Sequence, residues 1–218
     1  MEYGLAAKRR QRPTVLIIGD VVCDVHLVGT LVERDEAPVF SAGAQYDALS
    51  GAARTACDLK ALGCDVRLLS VVGTDAVGRR MRALLRQQDI ADTLILEDAG
   101  RPTAQRTHLR GDEGPVLCLD RWRRVPPSRA LTSRLFECVD SVLSEVDGVL
   151  CEEYRLGLCD ADVERLLVAA QSAGCPVYVR SREEWSRCNG PSLRPANGSV
   201  SLGEVAQELQ QRIPARSV

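Results

Sequence analysis

Residues Thr14 to Ile18 form an unbroken apolar run closed by Gly19-Asp20, the pattern of a strand buried on both faces of a parallel sheet. Val21 to Val28 and Ala37 to Ala42 are more mixed, with turn-prone residues between them, and predict strands with one exposed face that belong to a side sheet. From Ser50 to Leu62 the positions Ala52, Ala53, Ala56, Leu59 and Leu62 repeat at helical spacing, and Gly63 suits the left-handed residue that ends a helix. The alternation continues: strand Val66 to Val72, helix Ala76 to Gln88, then strand-like Thr93 to Leu96, Thr103 to Leu109 and Val116 to Leu119. The last two flank Arg110-Gly111-Asp112-Glu113-Gly114 and predict a hairpin.

Pro126-Pro127-Ser128 punctuates the chain before a helix to about Val146, a strand from Gly148 to Cys151, a helix from Asp160 to Ala173 and a strand from Pro176 to Val179. Gly63-Cys64 and Gly174-Cys175 end two helices in the same way. Helices alternating with apolar strands imply right-handed crossovers and a doubly wound α/β sheet. Beyond Arg180 the chain is rich in Ser, Asn, Pro and Arg, with one amphipathic stretch from Leu202 to Ile213. The expected organisation is a disordered 1–12, an α/β domain over 13–190, and an irregular tail with a short helix over 191–218.

Composition narrows the function classes. A formal net charge of −2, with acids and bases both plentiful, supplies no global field for nucleic acid or an anionic membrane. No apolar run is long enough to span a bilayer and no signal peptide precedes the domain, so a cytoplasmic protein is expected. The nine cysteines are scattered, contain no Cys-x-x-Cys pair, and sit where small apolar residues belong, which argues against a disulfide framework. The two histidines, His26 and His108, stand far apart in sequence, so no metal site is expected. His26 does share a strand face with Asp24.

Five motifs in order carry a resemblance: Gly19-Asp20-Val21 with Asp24; Asp35-Glu36-Ala37-Pro38-Val39; Ser50-Gly51-Ala52-Ala53-Arg54; Ala61-Leu62-Gly63; and Val71-Val72-Gly73-Thr74-Asp75. Arg101-Pro102-Thr103, Arg106-Thr107, Leu119-Asp120, Glu153-Tyr154 and Glu184 to Arg187 extend it. Together they resemble the PfkB/ribokinase superfamily of carbohydrate kinases, most closely its heptose 7-phosphate kinase domains. The resemblance implies a ribokinase-like, mostly parallel sheet with a small β-sheet lid over a sugar pocket. It implies substrate-binding roles for Asp20, Asp24, Gly51, Arg54, Arg106 and Glu153. The carboxylates would accept hydrogen bonds from sugar hydroxyls, and the arginines would hold an anion. Arg54 stands where the family has Asn, Arg106 where it has Lys, and Arg180-Ser181 where it has Asp-Pro, with Arg182 beside them.

The superfamily's Gly-Ala-Gly-Asp turn, which supplies the catalytic base and an anion hole, has no counterpart in this sequence. Pro195-Ala196-Asn197-Gly198-Ser199 keeps only part of its Pro-Asn-x-x-Glu segment. The C-terminal ATP-binding half is therefore expected to be missing, with no nucleotide or other cofactor. The expected function is a kinase homologue, non-catalytic as a kinase, that binds a sugar phosphate or similar anion in a regulatory role. Three alternatives stand beside it: an enzyme reusing the pocket, a subunit completed by a partner chain, and a structural protein. A homodimer through the lid strands is also expected. Acids such as Glu152 and Glu153 that neutralise the arginines in the free protein would plug the pocket internally.

Overall fold

The computed structural model describes residues 12–152, 156, 158, 161–181, 184–187 and 200–212. At its centre lies β1 (Thr14–Gly19), paired in parallel with β4 (Asp65–Val72) on one side and β8 (Gly148–Glu152) on the other. Adding β5 (Ile95–Glu97), β9 (Val177–Ser181) and β10 (Glu184–Arg187) gives a six-stranded sheet in the order β10-β9-β8-β1-β4-β5. Only β10 runs antiparallel, at the edge. Its sequence, Glu-Trp-Ser-Arg, has no apolar run to betray it, because it joins by backbone pairing at a sheet margin.

Alternation along β1 explains the two layers around this sheet. Val15 and Ile17 point to one face, where they join Ala52, Ala53, Ala56 and Leu59 of α1 (Ala52–Ala61) and Met81 and Leu85 of α2 (Ala76–Gln87). Leu16 and Ile18 point to the other, against α3 (Arg129–Val142) and α4 (Ala161–Ser172). A single 3-10 turn, Leu143–Glu145, follows α3. The helix ends at Gly63 and Gly174 are alike, as expected: φ is +87 and +83°, and Cys64 and Cys175 donate amides back to Leu59 and Ala170.

The amphipathic stretch near the C-terminus forms α5 (Leu202–Arg212), and it belongs to the core. Val205, Ala206 and Leu209 are fully buried with the α1 and α2 layer. Gly148 makes room for it, since a Cβ there would lie 2.7 Å from Leu209 Cδ2. The short tail helix therefore closes one face of the domain. Residues 1–11 and 191–199, where disorder and irregular chain were expected, lie outside the described residues.

A second, four-stranded sheet has the order β3-β2-β6-β7 and consists of β2 (Val21–Val32), β3 (Val39–Gly51), β6 (Gln105–Gly111) and β7 (Gly114–Arg121). The two central strands, β2 and β6, are parallel, and both outer pairs are antiparallel. The expected hairpin closes over the two-residue turn Asp112-Glu113. β3 runs nine residues beyond the expected Ala42, because Gln45 to Gly51 pair with Leu27 to Val21, and α1 starts only at Ala52. Ser50 and Gly51 are thus strand residues. Among the described residues no helix is long and apolar enough to cross a membrane, and none of the cysteines is disulfide-bonded.

Asp75 ties the two sheets together. Its carboxylate caps α2 by accepting the Gly78 amide at 2.8 Å, and its other oxygen accepts the Thr103 amide at 2.9 Å, just ahead of β6. Burial pushes this carboxyl up, but the amides of Gly78 and Thr103 outweigh it and hold the group below its ordinary 3.8. A depressed carboxyl contributes stability that is complete above the unfolded value and lost as pH falls through the folded one. Asp75→Ala should therefore cost about 1–2 kcal/mol in urea denaturation at neutral pH. The gap between wild type and variant should close as pH falls below 3.8; a constant gap would show that charge is irrelevant there.

Candidate functional site

The order of the main sheet reverses between β1 and β8, so the crevice outside their carboxyl ends is where a doubly wound sheet receives ligands. Asp20 and Glu152 stand at that edge, and the small sheet grows directly out of it through β2.

Asp20 and Glu152 are both committed to protein partners. Asp20 is 2% exposed; its carboxylate faces Arg101 Nη2 at 3.4 Å and accepts the Leu156 amide at 3.2 Å. Burial pushes its carboxyl above the ordinary value, with Arg101 and the Leu156 amide pulling the other way. Its backbone carbonyl accepts the first amide of α1, Ala52, at 3.0 Å. Glu152, 1% exposed, accepts from Thr55 Oγ1 and from Arg180 Nη1, each at 2.5 Å. Asp20 thus forms a buried clamp, with Arg101 and the Leu156 amide at its two oxygens.

Gly51 is also explained by packing. Its φ is +62°, and a Cβ would lie 2.4 Å from the Asp20 carbonyl oxygen. The glycine lets two backbone segments touch; the space its missing side chain leaves is filled by protein.

The second sheet presents its chemistry as cross-strand rows. Register places Ala48, Asp24, Arg106 and Asp120 side by side across β3, β2, β6 and β7. The next row on the same face is Tyr46, His26, His108 and Cys118. At the root of this face Val22, Ala104, Leu156 and Trp122 form a small apolar cluster, and the Arg106 guanidinium lies 5.1 Å over the Trp122 ring. Arg106 makes a bidentate pair with Asp120 at 2.6 and 2.9 Å, which raises the arginine and lowers the carboxyl from their ordinary values. Asp24 is half-buried; its Oδ2 lies 3.5 Å from His108 Nε2, while Oδ1 is buried with no hydrogen-bond partner.

Arg54 does not converge with Arg106. It pairs with Asp58 one turn along α1 at 2.9 Å, its side chain 69% exposed, over a surface hollow lined by Asp47, Leu49, Cys57 and Leu84. Helical spacing turns it there, since the inward positions of α1 are Ala52, Ala53, Thr55, Ala56 and Leu59. Arg180 is held by Glu152, so in the described residues the acids neutralise the arginines locally. Glu153 and Arg182 lie outside the described residues. Sequence reading missed two things. Arg101, quoted only within a motif, is the buried partner of Asp20. His108 becomes a neighbour of His26 through a parallel pairing that no local spacing announces.

Comparison with known proteins places this geometry. Residues 14–191 match the family described as pfkB family carbohydrate kinase. The D-beta-D-heptose 7-phosphate kinase of Bordetella bronchiseptica is 29% identical over 215 residues, covering 94% of this chain and 67% of that one. The bifunctional protein HldE of Caulobacter sp. (strain K31) is 30% identical over 214 residues, covering 92% of this chain and 43% of its own. This chain therefore spans two thirds of the first relative and less than half of the second. Arabidopsis thaliana ribokinase, solved with ribose and ATP, shares the fold at a TM-score of 0.58 and 16% identity, over 79% of this chain and 54% of that one. The crystal structure of Sa239 does so at 0.63 and 16%, over 79% of this chain and 55% of that one.

The burial contrast among the arginines is open to test. Asp20→Ala leaves Arg101 charged and buried and should cost about 3–5 kcal/mol. Arg54→Ala removes only an exposed pair and should stay within about 0.5 kcal/mol of wild type. Equal losses in chemical denaturation would contradict the assignment of Asp20 as the clamp.

Proposed function

The chain belongs to the pfkB family of carbohydrate kinases, and on that footing we propose that it binds a sugar phosphate or similar anionic sugar under the small sheet without transferring a phosphoryl group by itself. The observation that carries this reading is Asp24 Oδ1, buried on the sheet face with no hydrogen-bond partner. Such an acceptor is costly unless something donates to it, and vicinal hydroxyls are suited donors. The neighbouring Arg106 supplies the charge. Its pair with Asp120 is exposed by 37% and 40%, and a pair of that kind contributes about 0–1 kcal/mol, so a phosphate can take the guanidinium over at small cost. Arg101 and Arg180, whose partners are buried, are not exchangeable in this way.

Absence of turnover rests on chemistry. A phosphoryl group in flight needs preorganised donors and an oriented acceptor. The nearest look-alikes of the superfamily's Gly-Ala-Gly-Asp turn, Ser41-Ala42-Gly43-Ala44 and Arg110-Gly111-Asp112, sit within β3 and at the tip of the β6–β7 hairpin, with no helix behind either. A second reading, in which another polypeptide segment completes a kinase site, is supported by the greater length of the relatives. Lid-to-lid dimerisation has its own support in the stripe Leu27, Leu109, Leu117 and Leu119 on the opposite face, where Leu117 and Leu119 are about half exposed (49 and 51%).

Calorimetry with heptose 7-phosphate and related sugar phosphates tests the binding. Asp24→Asn and Arg106→Ala should each weaken affinity by about ten- to a hundredfold, the worth of one hydrogen bond to a charged group. Arg54→Ala should leave it unchanged. No binding by the wild type, or equal affinity in all three variants, would refute the site. Conversion of ATP to ADP in step with sugar by the isolated chain would refute the non-catalytic reading.

A further inference from the structure

The row next to Asp24 contains more chemistry than sugar recognition uses. His26 and His108 face each other directly in the parallel β2–β6 register, with ring centroids 4.6 Å apart and planes 7° from parallel. Tyr46 stacks on the far side of His26 at 4.6 Å. Asp24 lies two residues before His26 on the same face, and one donor atom from each of Asp24, His26 and His108 falls within 4.8 Å of the others. Asp24 Oδ1, His26 Nδ1 and His108 Nε2 are each buried and without a hydrogen-bond partner. An unsatisfied polar atom on each of three neighbouring side chains is an unusual cost in a folded sheet, and one partner shared by the three residues would relieve it.

We propose that Asp24, His26 and His108 form a binding site for a transition-metal dication of the zinc type on the face of the small sheet. Two imidazoles and a carboxylate are a ligand set suited to Zn²⁺, with a fourth position left for water or an incoming oxygen ligand. Tetrahedral bonds of about 2.0–2.1 Å require the donors to close to roughly 3.4 Å, and because each imidazole binds a metal in its own plane, His26 and His108 have to turn out of their parallel stack about their side-chain torsions to do so. Cys118 completes the arrangement from β7. Its Sγ lies 3.2 Å from His108 Nδ1, so it can accept that nitrogen's proton in a hydrogen bond and leave Nε2 for the metal. The site goes beyond the sugar reading: two of its three ligands, His26 and His108, have no part in that reading, and only Asp24 is common to both.

The chain has two histidines, which makes the test direct. Chelator-treated full-length chain with ¹⁵N-labelled histidine is titrated with Zn²⁺ alone, and the ring nitrogens are followed by NMR beside calorimetry. Both rings should shift together and saturate at one equivalent, with Co²⁺ giving the absorption of a tetrahedral site. His26→Ala, His108→Ala and the more conservative His108→Gln should each weaken Zn²⁺ binding by about a hundredfold or more, and Cys118→Ser by about tenfold. If the rings of the wild type do not respond, or if zinc binds equally well to the histidine variants through cysteines elsewhere, the site does not exist. No sugar is present in these measurements, so their failure leaves the sugar reading standing and their success does not depend on it.

Discussion

The buried pair between Asp20 and Arg101 is the constraint on which the geometry of the site rests. Asp20 immediately precedes β2, and Arg101 lies four residues before β6, so one ion pair holds the roots of both central strands of the small sheet. From that root the Cys23 amide donates to the Ala104 carbonyl at 2.9 Å, and the parallel ladder continues with Cys23 opposite Gln105 and Asp24 opposite Arg106. A parallel pair has no turn to set its register, and a slip of one residue would send every side chain to the other face. Here the register comes from a pair whose two side chains are 3% and 5% exposed, where misplacing either charge is expensive.

Much of this architecture was legible in the sequence because apolar patterning dictates it. The runs around β1, β4, β8 and β9 and the helical spacing of α1 to α5 are statements about burial, and burial decided them. What escaped detection was settled by pairing. β3 extends to Gly51 through Tyr46-Asp47-Ala48, residues with no strand pattern of their own, because β2 offers a complete edge beside them. β10 is short and charged and exists through its neighbour. The site was harder still. Of the residues that the resemblance placed around a sugar, Asp20 and Gly51 meet at the backbone junction and Arg54 follows its helix to the surface, contacts that the tertiary fold sets and no local pattern announces.

The arginines show how burial separates similar charges into different roles. Arg101 and Arg180 meet carboxylates that are almost completely enclosed, and their guanidiniums act as struts between segments. Arg54 and Arg106 meet carboxylates that water also reaches. Arg106 differs from Arg54 in what surrounds it: the Trp122 ring lies under its guanidinium and Asp24 stands beside it on the neighbouring strand. Internal neutralisation therefore commits Asp20 and Glu152 to buried partners at the crevice, while the Arg106–Asp120 pair on the small sheet stays accessible to water.

The same register that brings Asp24 beside Arg106 also brings His26 beside His108, and the two consequences cannot be separated. Moving the charged row to a different pairing would dissolve the histidine row, since both are successive steps along one ladder with the alternation of a strand. The face thus carries a graded sequence from root to tip: an apolar cluster at Val22 and Trp122, then carboxylate and guanidinium, then imidazoles flanked by a phenol and a thiol. Each band differs in chemistry, and Asp24 lies where the second meets the third. Its two oxygens are inequivalent for that reason: one approaches His108, and the other is buried without a donor. Valine would serve the stability of the sheet better at that position, so the buried oxygen of Asp24 is a cost that the packing of the small sheet does not repay.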